Sequence, residues 1–160
     1  MLPNNNIETM QFFSNLWDII KDPKFYVPSI LIILVIIGGA FFRAPVQGSM
    51  KTPLFTVWGI EIDIWSLSHI ILYIYFGYFF PAYFMEFLFI GILWELFEST
   101  YCKGAVRRFV GCEGKDNRFC NALERNRDCM YWYGKIDDIG MNMIGFVIGA
   151  VIAKQTQKLQ

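Results

Sequence analysis

Apolar residues fall in four long blocks, and most polar residues lie in two loops and two ends between and around them. Tyr26 to Phe42 (YVPSILIILVIIGGAFF) contains no charged residue. Its 17 residues would rise about 25 Å as a helix, close to the thickness of a bilayer's hydrocarbon core. The second block, Trp65 to Phe80 (WSLSHIILYIYFGYFF), contains His69 as its one side chain that ionises near neutral pH. Pro81 follows and suits a tight turn. The third block, Ala82 to Ser99, carries Glu86, Glu95 and Glu98, and the fourth, Ile136 to Ala153, opens with Asp137 and Asp138. The pattern predicts an all-α protein, a four-span transmembrane bundle with spans at 26–42, 65–80, 82–99 and 136–153. A soluble four-helix bundle is the alternative, and the first block argues against it because it has no polar face.

Residues 1–25 read differently. Ile7, Met10, Phe13, Leu16, Trp17 and Ile20 recur at helical spacing, with Glu8, Asn15 and Asp18 between them. This is an amphipathic segment, lying on the membrane surface or capping the bundle. It lacks the positive start of a signal peptide, since Glu8, Asp18 and Asp22 face Lys21 and Lys24. Residues 26–153 form the membrane domain, with a polar loop at 100–135, and 154–160 form a polar tail.

Composition agrees. The chain has 160 residues, 55% hydrophobic and 18% charged, with zero formal net charge. Soluble domains carry about 25% charged residues, so this chain is short of wettable surface. Disorder is excluded, and without a positive field the chain has no nucleic-acid partner. The expected surroundings are a lipid bilayer, with the chain integral and multi-pass in a membrane the sequence does not name.

Two signals on orientation disagree. Four spans put both termini on one side with Lys21, Lys24, Lys154 and Lys158, and put the loops with Arg43, Lys51 and all the other basic residues on the opposite side. The positive-inside rule assigns that loop side to the cytoplasm. Yet Cys102, Cys112, Cys120 and Cys129 all fall in the loop region. Four cysteines in one polar loop suggest two disulfides and an oxidising compartment; four unconnected thiols are the alternative. Without a C-x-x-C or a nearby His, they make a poor zinc site. The loop also holds eight basic and four acidic residues between Tyr101 and Lys135. It is either a solvated cap or a surface for anionic head groups or a protein partner.

The informative residues are the polar ones inside the spans, because ionisable groups in hydrocarbon cost roughly 2.5–3.5 kcal/mol each and persist where they meet partners in a bundle interior. His69 lies four residues into the second span, Glu95 four before the end of the third, and Asp138 and Asn142 near the start of the fourth. All four therefore sit within about 10 Å of one membrane face. Glu95 and Glu98 share a helix face, as do Asp138 and Asn142. Glu86 is half a revolution from Glu95 and belongs near the other interface, snorkelling or bound to a local partner. His69, Glu95, Asp138 and Asn142 are the candidate catalytic set, since histidine and buried carboxylates form acid/base pairs. Glu98, Asp137, Arg107 and Arg108 are candidate ligand-binding residues, the arginines suited to an anionic head. One nitrogen with several oxygens also matches the donors a divalent ion takes, although no specific cofactor is implied. The alternative is a structural network that locks helix register. Gly145-x-x-x-Gly149 permits close helix approach, within the chain or with a partner.

Three pieces together resemble the VanZ-like family of integral membrane proteins. They are Ser68-His69 opening an aromatic-rich span, Gly91-Ile-Leu-Trp-Glu95, and Asp138-x-x-x-Asn142-x-x-Gly145-x-x-x-Gly149. The resemblance covers residues 65–153. Members show a His in one span, a Glu followed three residues later by Gln, and D-x-x-x-N-x-x-G-x-x-x-G in the last; Glu98 stands where Gln is usual. The family is named for glycopeptide-antibiotic (teicoplanin) resistance, so the resemblance implies a multi-pass membrane protein with His69, Glu95, Asp138 and Asn142 as its shared polar residues, and no particular reaction. The function expected is a site that binds or acts on an amphiphile. The alternative is a non-catalytic architectural protein that anchors a larger assembly, such as an organelle complex or a viral inner membrane. A channel would need several copies, and no carbonyl-filter sequence is present.

Overall fold

The computed structural model describes residues 5–42, 53–57, 60–102, 111–112, 114–118, 120–121 and 136–158. Among these residues five helices account for most of the chain: α1 (Asn5–Lys21), α2 (Pro23–Phe42), α3 (Ile64–Phe79), α4 (Phe84–Cys102) and α5 (Ile136–Gln157). Two three-residue strands, β1 (Phe55–Val57) and β2 (Ile60–Ile62), form an antiparallel hairpin before α3, with Val57 opposite Ile60 and Phe55 opposite Ile62. The sequence reading, all-α, did not include this hairpin. Three-residue strands are too short for alternation to stand out from an apolar background.

Helix boundaries follow local chemistry. Asp22 separates α1 from α2: its Oδ1 accepts the Lys24 N–H at 2.8 Å, and Pro23 fills the first helical position, where an N–H would be spare. Asp63 caps α3, its Oδ1 accepting from the Ser66 N–H at 2.8 Å and the Ser66 hydroxyl at 3.1 Å. Pro81 and Ala82 make the turn expected between α3 and α4.

The tightest pairing is between α3 and α5, and glycines make it possible. A Cβ at Gly145 would collide with the backbone of Ile70, one at Gly149 with the backbone of Ile74 and Tyr78, and one at Gly77 with the backbone of Phe146. The contacts advance together along both chains, 145 on 70 and 149 on 74, so the two helices run parallel. A parallel pair needs a return crossing, which α4 supplies. Such close backbone approach replaces side-chain packing with dispersion and Cα–H···O contacts.

Around this seam α3, α4 and α5 build an aromatic core of Tyr73, Phe76, Phe80, Phe87 and Phe146, with Ile19 from α1. Phe87 is at its centre, with ring centroids 4.9 Å from Phe76, 5.4 Å from Phe80 and 5.3 Å from Phe146. The face that α1 buries differs from expectation. Leu16 and Ile19 point inward, with Phe12 half-buried against Phe89, whereas Met10, Phe13, Trp17 and Ile20 are exposed. The helix is apolar on two sides, and a reading of one apolar face merged them.

Outside the seam and core, the distribution of polarity is inverted relative to a water-soluble domain. Asp63, Ser66, Glu86, Glu95, Glu98, Asp138 and Asn142 are buried, while Ile30, Leu31, Leu34, Ile71, Leu93, Leu96, Ile144, Val147 and Val151 are exposed. By length and composition, one helix among the described residues, Ile136–Thr156, is long and apolar enough to cross a membrane, and 39% of that stretch is buried. Pro23–Val35 and Ile64–Phe79 are shorter apolar helices, and α4 carries three glutamates.

Candidate functional site

The end of the bundle at which α3 and α5 begin is polar. Asp63 fixes the start of α3, and His69 follows about one and a half turns later, half-buried. Glu95 and Glu98 enter from the C-terminal half of α4, and Asp138 and Asn142 from the first turns of α5. Glu95 is 6% exposed, Asp138 5% and Asn142 3%. His69, Glu95 and Asp138 each offer a ligand atom, and these atoms all lie within 4.8 Å of one another. Three helices thus bring to one place the residues that the sequence set at one depth.

Asn142 orients the histidine. His69 Nδ1 lies 3.0 Å from Asn142 Oδ1. An amide oxygen only accepts, so Nδ1 carries the hydrogen and donates it, and in the neutral ring the lone pair is on Nε2. The Asn142 Nδ2 group finds no hydrogen-bond partner among the described residues. It faces Gly91, where an added Cβ would lie 3.2 Å from Nδ2 and 2.8 Å from the Tyr73 hydroxyl. Tyr73 donates in turn to the Phe87 carbonyl at 3.3 Å. Gly91, Tyr73 and Asn142 line one cleft together with Leu88, Met143 and Phe146. Its room of about 10 Å³ matches roughly one water molecule. Sequence reasoning took Gly91 only as part of a motif and did not include Tyr73, because a tyrosine in an aromatic-rich run carries no signal of its own.

The remaining candidates divide. Glu98 is buried one turn beyond Glu95, whereas Asp137 is exposed and points away from the buried layer. Adjacent residues on a helix are about 100° apart, so burying Asp138 turns Asp137 outward. Cys112 and Cys120 are joined by a disulfide. Arg107, Arg108, Cys129 and the side chain of Cys102 lie outside the described residues.

A second polar contact involves Glu86, for which sequence reasoning offered a local partner as one alternative without naming it. Glu86, expected near an interface, is buried, and its Oε1 accepts from Asn15 Nδ2 at 2.7 Å. The partner comes from α1, 71 residues away in sequence, beyond the reach of any local pattern.

A histidine oriented by an amide beside two buried carboxylates can exchange protons, accept hydrogen bonds from a polar head, or supply a nitrogen and oxygens to a cation. Compared with known protein families, curated proteins and solved structures, the chain has no match.

Proposed function

We propose that this chain is a multi-pass, VanZ-like membrane protein whose buried layer of His69, Glu95, Asp138 and Asn142 binds or acts on an amphiphile. In this reading α2, α3, α4 and α5 are the four spans, and α1 lies along the interface. One observation carries it: the side chains that need water are inside and those that avoid it are outside. Soluble monomers rarely expose apolar patches beyond about 300–600 Å², and lipid is the solvent that removes the cost. Lys21 over the Trp17 ring at 4.5 Å and Lys24 over the Phe79 ring at 4.9 Å suit a headgroup boundary, where aromatic rings and snorkelling lysines gather.

Within that frame the polar layer lies near the loop-side surface, within reach of a lipid head while the tail stays in the bilayer. His69 or Glu95 is the base, Asn142 holds the ring of His69, and Asp138 completes the receiving set. Arg107 and Arg108 give the neighbouring loop the positive charge that selects an anionic head.

The test has two stages. Alkaline carbonate extraction should leave the chain in the membrane pellet. Purified protein in nanodiscs should then be labelled by a diazirine-bearing phosphatidylglycerol within 64–79 and 136–157. Labelling should fall in His69→Gln, Glu95→Gln and Asp138→Asn. Release by carbonate, or full labelling in all three variants, defeats the proposal. Full labelling combined with co-purification at fixed stoichiometry with other subunits favours an architectural protein instead.

A further inference from the structure

We infer that His69, Glu95 and Asp138 form a binding site for one first-row divalent cation, of the Mn²⁺ or Zn²⁺ class. This rests on the reading of the polar layer as a site, and it names the cofactor of that site. Three independent helices deliver one imidazole and two carboxylates, with ligand atoms no more than 4.8 Å apart. Two donors bound to one ion at about 2.1 Å lie roughly 3–3.5 Å from each other. Binding an ion therefore requires the three ligand atoms to draw together by about an ångström or more.

The histidine is already prepared as a ligand. His69 Nδ1 contacts Asn142 Oδ1; in the tautomer that donates there the lone pair is on Nε2, and metal-binding histidines are typically oriented by such a contact on the other nitrogen. The donor set decides the class of ion. Magnesium and calcium take oxygen, and copper(I) prefers thiolate or thioether, whereas a mixed set of imidazole and carboxylate suits manganese, iron or zinc.

A second observation points to a further ligand. Asn142 is 3% exposed and its Nδ2 has no hydrogen-bond partner among the described residues. That group faces the cleft under Gly91 and Tyr73, which has room for one water. An unsatisfied buried N–H calls for an acceptor, and a water or a head-group oxygen in the cleft supplies it on the other side of the Asn142 amide from His69.

The experiment uses the full chain, purified in detergent and stripped with EDTA. Titration with Mn²⁺, followed by loss of the free-ion electron paramagnetic resonance signal, should saturate at one ion per chain. His69→Gln, Glu95→Gln and Asp138→Asn should each weaken binding by about 100-fold or more, and Asn142→Ala by about 10–100-fold. Asp137→Asn, on the same helix turn but exposed, should leave it unchanged. Absence of saturable binding, or binding retained in all three ligand variants, overturns the site. Should those variants not fold, X-ray absorption of the zinc-loaded wild-type chain decides: a nitrogen and oxygen shell with one imidazole supports the site, and a thiolate or all-oxygen shell overturns it. Lipid labelling that persists without Mn²⁺ binding removes the metal and leaves the amphiphile site. Mn²⁺ binding without lipid labelling does the reverse.

Discussion

Two layers of the same bundle, about two helical turns apart, hold their helices together by different means. In one, Phe87 meets Phe76, Phe80 and Phe146 with ring centroids 4.9–5.4 Å apart. In the other, His69, Glu95 and Asp138 bring ligand atoms within 4.8 Å of one another, and Asn142 holds the His69 ring at 3.0 Å. The aromatic layer gains from many weak dispersion contacts, which tolerate a swap of one large apolar side chain for another. The polar layer depends on direction, because each donor and acceptor must find its own partner or cost stability. The aromatic layer therefore secures the assembly, and the polar layer carries the groups on which the proposed function rests. Tyr73 belongs to both, with its ring among the phenylalanines and its hydroxyl against Gly91 in the cleft.

Substitutions can break or sharpen this division. The largest effect is expected from Gly149→Leu, which damages both layers by forcing α3 and α5 apart. Its Cβ would meet the Ile74 carbonyl and, at 2.8 Å, the Tyr78 nitrogen, backbone atoms that cannot turn aside. A loss of about 5 kcal/mol, the exceptional class for one residue, should appear as failure to recover monodisperse protein. Next comes Phe87→Ala, at about 4 kcal/mol, read from denaturant titration in micelles. Mn²⁺ affinity of the folded fraction should be unchanged; a parallel fall in affinity would show that the layers are not separable.

Asn15→Ala strips Glu86 of its partner from α1 and should cost about 2 kcal/mol, the range for a hydrogen bond to a charged group. Faster proteolysis within residues 5–21 is its readout. Glu95→Gln is expected to move stability by no more than about 1 kcal/mol, in either direction, since functional groups are commonly held at the expense of fold stability. The same variant should abolish tight Mn²⁺ binding, the reverse of Phe87→Ala. Smallest is Gly140→Ala. Nothing lies within 4 Å of the added methyl, so helix propensity alone acts, and a gain of roughly 0.5–1 kcal/mol in the same titration is expected.

Much of the polar layer was legible before any coordinates, because a charge in an apolar run is conspicuous and helix rise converts position into depth. His69, Glu95, Asp138 and Asn142 could be placed at one level by counting residues from the block ends. The Gly145/Gly149 spacing likewise pointed to close approach, though not to α3 as the partner. What escaped was long-range or unmarked. The Asn15–Glu86 contact joins segments 71 residues apart that no periodicity relates. Ile19, among the most buried side chains at 1% exposure, was passed over because α1 has apolar residues on two faces and spacing alone cannot rank them. The hairpin of β1 and β2 escaped for want of length. Asp138 was set apart from Asp137 by the face it shares with Asn142, and the rotation of α5 against its neighbours leaves Asp137, a ligand-binding candidate, exposed.

The glycine seam also decides which part of the bundle can yield. With main chain resting on main chain, α3 and α5 have no cushion of side chains to compress, so they act as a fixed wall. α4 meets that wall through rings and long side chains, which can shift among rotamers. Of the contacts in the bundle, the one between α4 and the α3–α5 pair is therefore the more compliant.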